Sequence, residues 1–353
     1  MTSSYFDNLA EKLEKTRNLT DNEFLELLTS ENCEVDEILA SKARTVREGI
    51  YGKEVYLRGL IEFTNYCKNN CYYCGIRRDN RNAERYRLNE EQILECSEQG
   101  YDLGFRTIVL QGGEDPYFTD ERLISIVKGI KKQHPDCAVT LSIGERDYDS
   151  YKRLFDAGAD RYLLRHETAD KCHYEKLHPA EMSFEHRMQC LKDLHEIGYQ
   201  VGCGMMVGSP WQEPEHLLKD IRFLQEFQPE MVGIGPFIPH HDTEFAGFAA
   251  GTAELTIRLL SIIRLILPDC LLPATTALGT IDPMGREKGI LAGANVVMPN
   301  LSPGNVRGKY LLYDNKICTG DEAAECIRCM AARVEKVGYK VVQSRGDHIN
   351  FKK

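Results

Sequence analysis

Residues 64–80 read TNYCKNNCYYCGIRRDN, and within them Cys67, Cys71 and Cys74 form a C-x3-C-x2-C triplet. Thiolates suit zinc or iron–sulfur clusters, and a structural zinc site closes its tetrahedron with a fourth Cys or His. The usual zinc layout pairs C-x2-C with a distant second pair, and the chain has none at finger-like spacing. Three cysteines inside eight residues can instead hold three irons of a four-iron cluster, leaving the fourth iron open to another ligand. Cys318, Cys326 and Cys329 form a second triplet, C-x7-C-x2-C, also one ligand short of a closed zinc site. The remaining cysteines (Cys33, Cys96, Cys137, Cys172, Cys190, Cys203, Cys270) are scattered, as small buried apolar residues commonly are.

The first triplet needs a rigid scaffold, and the hydrophobic pattern supplies one. Residues 1–50 carry apolar side chains at three- and four-residue spacing, which predicts an N-terminal helical region, with Asp21 and Asp36 placed to cap or start its helices. From about residue 55, short apolar and often β-branched runs alternate with amphipathic stretches. This pattern signals βα units around a parallel sheet. Strands are predicted at 55–63, 106–111, 138–143, 161–165, 200–208, 230–237, 270–276 and 294–299. Between them lie helices at 89–103, opened by Asn89 with Gln92 three residues on, at 119–132, opened by Thr119, and at 183–197, opened by Ser183.

These repeats predict an α/β fold, a (β/α)8 TIM-type barrel over 51–305, with a six-strand partial barrel or an open doubly wound sheet as the alternatives. A C-terminal segment, 306–353, carries the second triplet and a helix near 321–337. Nearly every predicted strand runs into a polar or Gly-rich segment at its C-terminal end, the face on which barrel enzymes build their sites. Among these segments are TNYC, QGGEDP, GERD, RHET and TTALG.

Composition narrows the function classes. A net charge of −10 argues against a general nucleic-acid binder. No apolar run approaches the ~18 to 20 residues that span a bilayer, so no membrane association is expected. The polar N-terminus lacks a secretory signal's apolar core, and a cytoplasmic protein is expected. There, thiols stay reduced, so metal binding or catalysis is the better reading of thirteen cysteines.

A C-x3-C-x2-C motif after the first strand of an α/β barrel resembles the radical SAM enzymes. The resemblance implies a 4Fe–4S cluster on Cys67, Cys71 and Cys74, with S-adenosylmethionine bound to the open iron through its amino and carboxylate groups. Tyr73 matches the family's aromatic position. QGGED, with Gly112, Gly113 and Glu114, resembles the GGE motif that contacts the methionine amino group. Ser142, Glu145 and Glu167 sit after the third and fourth strands, where carboxylates could bind ribose hydroxyls. Arg187 could form a bidentate pair with the methionine carboxylate.

Longer segments, including CKNNCYYCGIRRDN, GADRYLLRHETA, MVGIGPFIPH, PATTALGT and GANVVMPN, resemble the HydE family of radical SAM maturases of the FeFe-hydrogenase H-cluster over roughly 50–330. Biotin synthase and 3-methylornithine synthase share parts of the pattern. The closer resemblance implies a positively lined internal cavity for a small anionic substrate. Arg161 and Arg165, four apart on one strand, point the same way and are candidates for it, a structural ion pair for one of them being the alternative. Thr275, Thr276, Met298 and Tyr313 resemble the remaining cavity residues.

The implied substrate is organometallic, a cysteine-bound iron carrying carbonyl and cyanide. An amino-acid substrate or a non-catalytic iron–sulfur scaffold are the alternatives. The implied partners are a flavodoxin or ferredoxin and the other hydrogenase maturases. At the second triplet, the resemblance implies an auxiliary 2Fe–2S or 4Fe–4S cluster. His240 and His241 follow the sixth strand, where facing the cavity and ordinary loop placement are equally open, and Trp211 adjoins the expected nucleotide loop.

Overall fold

The computed structural model describes residues 3–319 and 323–351. The chain opens with helices α1 (Ser3–Thr16), α2 (Asp21–Thr29) and α3 (Glu34–Tyr51). Asp21 starts α2, but Thr20 caps it, in a reciprocal capping box with Glu23. Asp36 is in the first turn of α3 and is not its cap; its carboxylate instead pairs with the buried Arg258, Nε to Oδ1 at 2.6 Å. The same guanidinium donates to the carbonyls of Leu27 and Ser30, so one arginine closes the end of α2 and ties the helical region to the body.

The first predicted strand is broken at Arg58 into β1 (Glu54–Leu57) and β2 (Gly59–Thr64). Then follow β3 (Thr107–Gly112), β4 (Ala138–Ser142), β5 (Arg161–Leu163), β6 (Gln200–Cys203), β7 (Met206–Val207), β8 (Met231–Val232), β9 (Gly235–Pro236) and β10 (Val296–Val297). The parallel order β2-β3-β4-β5-β6-β8 continues through Met231↔Leu271 and Pro273↔Val296 bridges to β10, which pairs with β1. The barrel is thus closed. One register row, Ile61, Leu110, Leu141, Tyr162 and Val201, is fully buried. The next row toward the C-terminal ends is polar, Glu62, Gln111 and Ser142, and marks where the core gives way to the site.

The outer layer is α4 (Glu90–Asp102), α5 (Asp120–Gln133), α6 (Tyr148–Asp156), α7 (Lys171–Leu177), α8 (Phe184–Ile197), α9 (Pro214–Phe227), α10 (Ala253–Ile266), α11 (Thr276–Ile281) and α12 (Gly285–Leu291). Asn89 and Gln92 form the expected capping box, and Ser183 accepts from the His186 amide. Thr119 holds the cap position of α5 without a side-chain cap bond.

The seventh predicted strand, 270–276, is reduced to the two bridges. Pro273 has no N–H to give a ladder, and Thr275 caps α11, so Thr275 and Thr276 begin a helix where a strand was expected. After α13 (Gly304–Arg307) and α14 (Ala323–Lys336), an unforeseen strand β11 (Lys340–Val342) adds in parallel to β1. The tail beyond it closes the barrel floor. No helix among the described residues is long and apolar enough to cross a membrane.

Candidate functional site

At the C-terminal ends of the strands, a cavity of about 310 Å³ is lined by Cys67, Cys71 and Cys74 on the β2 loop and by Gly112, Gly113 and Glu114 after β3. Ser142, Arg165, Glu167 and Arg187 line its flank, and Thr275 and Tyr313 its far wall. Tyr73 lines it too; its hydroxyl lies 3.2 Å from His178 Nε2, while His178 Nδ1 donates to the Tyr174 carbonyl. Burial holds His178 down at about 3, with Arg187 adding to the effect, so the ring stays neutral and accepts from Tyr73.

Burial also pushes these thiols up, Cys74 to about 12 with help from Cys67, and Cys71 well above the ordinary thiol range. A thiol this reluctant to ionise is stable either protonated or on a metal, and metal binding must displace its proton. The cysteine loop is stitched to the glycine loop, with the Lys68 amide donating to the Glu114 carbonyl at 2.8 Å. A Cβ added at Gly113 would stand 2.2 Å from the Tyr66 carbonyl oxygen, so only glycine lets these two loops meet.

The cavity's polar atoms fit a zwitterionic nucleotide ligand. Glu114 Oε2, Glu167 Oε2 and Arg165 Nε and Nη2 are buried without an aligned hydrogen-bond partner among the described residues. Two close ion contacts touch these atoms, Arg165–Glu167 at 2.8 Å and Lys68–Glu114 at 3.1 Å, which supply charge but leave hydrogen-bonding capacity open. Carboxylates can accept from ammonium and hydroxyl groups, and a guanidinium can donate to a carboxylate. Glu167 has φ +65°, an uncommon conformation for a residue with a side chain.

Several expected site residues lie elsewhere. Glu145 is absent from the cavity wall; it pairs with Arg187 Nε, and Arg187 Nη1 donates to the Arg165 carbonyl at 2.6 Å. Two of the three Arg187 nitrogens are thus bonded to the protein, and Glu145 takes the Nε side of the guanidinium. Arg161 and Arg165 are separated by about 13 Å along the strand direction, at ~3.3 Å per residue. Arg161 is consequently at the floor, donating to Asp347 (2.6 Å), the Arg345 carbonyl (2.7 Å) and Thr107 (2.9 Å). It takes the structural ion pair, not a place in this cavity. Thr276 and Met298 line a separate crevice of about 20 Å³ with Arg286 and Cys318.

At the second triplet, Cys318 has φ +64° and receives Arg286, Nη2 to Sγ at 3.6 Å. Arg333, paired with Glu287, lies close enough to Cys329 and Cys318 for either thiolate to favour its charge. Cys326 belongs to α14, and its side chain is outside the described residues. His240 packs against Gly75, and His241 is clasped by Asp314 at 2.7 Å and Asp242 at 3.3 Å; neither lines the cavity. Trp211, 47% exposed, meets Phe245 and Phe248 at the rim.

Sequence reasoning missed Met182, whose sulfur lies 3.6 Å from Cys71, and Tyr310 in the irregular tail. It also missed Arg58, buried in the barrel floor with Nε and Nη2 unpartnered among the described residues. Its signal was available, a lone arginine amid an apolar strand run.

A sequence profile of the radical SAM superfamily matches residues 61–224. The FeFe hydrogenase maturase subunit HydE of Thermotoga maritima is 46% identical over 332 residues, covering 94% of both chains. 3-Methylornithine synthase of Methanosarcina barkeri is 31% identical over 96% of this chain and 95% of its own. The crystal structure of methylornithine synthase superposes with a TM-score of 0.81 at 28% identity, covering 95% of this chain and 97% of that one. With a cysteine triplet at the mouth of a closed barrel and a relative of this identity matched over 94% of both chains, the chain is an enzyme of the radical SAM superfamily and belongs to the HydE family of hydrogenase maturases.

Proposed function

We propose that this enzyme reductively cleaves S-adenosylmethionine and acts in H-cluster assembly on a small iron complex, a cysteine-bound iron carrying carbonyl and cyanide. The observation that carries the reading is one cavity shared by three thiols and by Glu114, Glu167 and Arg165 atoms with hydrogen-bonding capacity left open. Cys67, Cys71 and Cys74 would hold a 4Fe–4S cluster, and Glu114, Ser142 and Glu167 would hold the nucleotide. When bound, the cluster and S-adenosylmethionine supply an electron and a 5′-deoxyadenosyl radical. The chain's own task is to hold the reacting groups in register and exclude water.

Arg58 donates Nη1 to Met231 Sδ at 2.9 Å but leaves Nε and Nη2 without a hydrogen-bond partner among the described residues, spare buried donors that would suit an anionic occupant of the barrel. A flavodoxin or ferredoxin is the proposed electron donor, and the other maturases the proposed partners. An auxiliary cluster at Cys318, Cys326 and Cys329 is part of the proposal, favoured by the Arg286 contact with Cys318.

The test is anaerobic reconstitution with iron and sulfide, reduction with dithionite and addition of S-adenosylmethionine. The expected product is 5′-deoxyadenosine; its absence with and without substrate would overturn the reading.

A further inference from the structure

Glu167 keeps a left-handed backbone, a strained arrangement for a residue with a side chain that survives only where the surroundings over-determine it. Two backbone bonds hold the residue itself, its N–H to the Gly204 carbonyl at 3.0 Å and its carbonyl from the Met206 N–H at 3.1 Å. Both flanks are held by a single side chain. Asp220, fully buried on α9 and outside the cavity, accepts through Oδ1 from the Ala169 amide at 2.6 Å and from His166 Nε2 at 3.2 Å.

The histidine tautomer follows from its other nitrogen. Gly204 donates its amide to His166 Nδ1 at 3.2 Å, so the ring proton sits on Nε2 and points at Asp220. Gly204 thus engages residue 166 through its N–H and residue 167 through its carbonyl. Asp220 closes the other side of the turn from α9.

Stability alone gives a poor account of this carboxylate. Asp220 Oδ2 is buried with no hydrogen-bond partner among the described residues, and a half-satisfied buried carboxylate is a cost that an apolar side chain would avoid. What Asp220 does provide is a fixed pair of bonds on either side of the one carboxylate that faces the cavity from this loop.

We propose that Asp220 is a positioning residue: by bonding His166 and Ala169 it holds Glu167 in the left-handed turn that aims its carboxylate at the nucleotide. The inference rests on the reading of Glu167 as a contact for S-adenosylmethionine. Loss of the clamp lets Glu167 relax to negative φ, which swings its side chain off the cavity wall. Affinity for S-adenosylmethionine then falls, whereas turnover at saturation falls less.

The test measures the Kd for S-adenosylmethionine anaerobically from the change it causes in the electron paramagnetic resonance spectrum of the reduced, reconstituted enzyme. Asp220→Leu is expected to bind at least tenfold more weakly with normal iron content. Asp220→Asn, whose amide oxygen can accept both bonds, is expected within threefold of wild type. In a Glu167→Gln background, Asp220→Leu should cost less than threefold. Wild-type affinity in Asp220→Leu overturns the proposal, as does equal weakening by Asp220→Asn or an undiminished cost in the Glu167→Gln background. If Asp220→Leu fails to fold, His166→Asn, whose side-chain oxygen can take the Gly204 amide in place of Nδ1, removes the Nε2 donor to Asp220; it should weaken binding several-fold, and unchanged affinity overturns the proposal. If Glu167→Gln itself binds like wild type, the assignment of Glu167 fails instead.

Discussion

Gly113→Ala changes one hydrogen to a methyl at the seam between the cluster loop and the glycine loop. The new carbon would stand 2.2 Å from the Tyr66 carbonyl oxygen and 2.8 Å from Cys67 Cβ, where ordinary contact begins near 3.4 Å. The loops must separate by about 1 Å, and the obstacle is backbone beside Cys67, which cannot rotate away as a side-chain tip can. The Lys68 amide bond to the Glu114 carbonyl is strained by the same movement. Overpacking of this kind costs about 1–3 kcal/mol, and at ~1.4 kcal/mol per decade this is roughly a five- to hundredfold loss in affinity for S-adenosylmethionine. Iron content per chain and S-adenosylmethionine binding, measured after reconstitution, read the effect. Gly49→Ala in α3 is the control. Nothing lies within 4 Å of its added carbon, so it should stabilise by about 0.5–1 kcal/mol and leave both readouts unchanged. Wild-type iron content and affinity in Gly113→Ala would refute the claim that the two loops form one site.

Three further outcomes are expected. Replacing Arg58 by Met removes a buried guanidinium whose Nε and Nη2 have no hydrogen-bond partner among the described residues, so the melting temperature should rise by a few degrees while an anionic substrate binds more weakly; a lower melting temperature would show that Arg58 is a structural cation. Burial alone would raise the Asp347 carboxyl, but Arg345 and Arg161 outweigh it and hold it well below the usual carboxylate range. A depressed carboxylate contributes stability above its unfolded value of about 4 and loses it as pH falls toward the folded one. Asp347→Asn should therefore lower the melting temperature at pH 7, with the gap closing below about pH 4; a gap independent of pH would contradict the ion pair. Cys67→Ala, Cys71→Ala and Cys74→Ala should each abolish 5′-deoxyadenosine formation, whereas Cys318→Ala should retain it; equal loss in all four would mean the two triplets' roles are wrongly assigned.

Much of this arrangement is legible in the chain because its signals are local. A triplet of cysteines, paired glycines and capping residues such as Asn89 and Ser183 act within a few residues of where they stand, and strand periodicity sets the barrel. What the sequence conceals is level and partner. Arg161 and Arg165 share a side of one strand, yet four residues of rise put one at the floor and one at the mouth, where Asp347 and Glu167 meet them. Arg187 reads as a free guanidinium until Glu145 takes Nε and the Arg165 carbonyl takes Nη1. Thr275 and Thr276 look like strand residues because the apolar run before them is strand-like. Pro273 and the cap geometry at Thr275 decide otherwise.

The central claim is that the cavity joining the cluster-binding triplet to Arg165 and Glu167 turns over S-adenosylmethionine for the sake of an iron substrate. The direct measurement is 5′-deoxyadenosine formed per enzyme in the presence of a cysteine-ligated iron carbonyl cyanide complex, compared with lysine and with no addition. Marked acceleration by the iron complex and none by lysine is expected. Acceleration by lysine alone, with a rearranged amino acid as product, would contradict it.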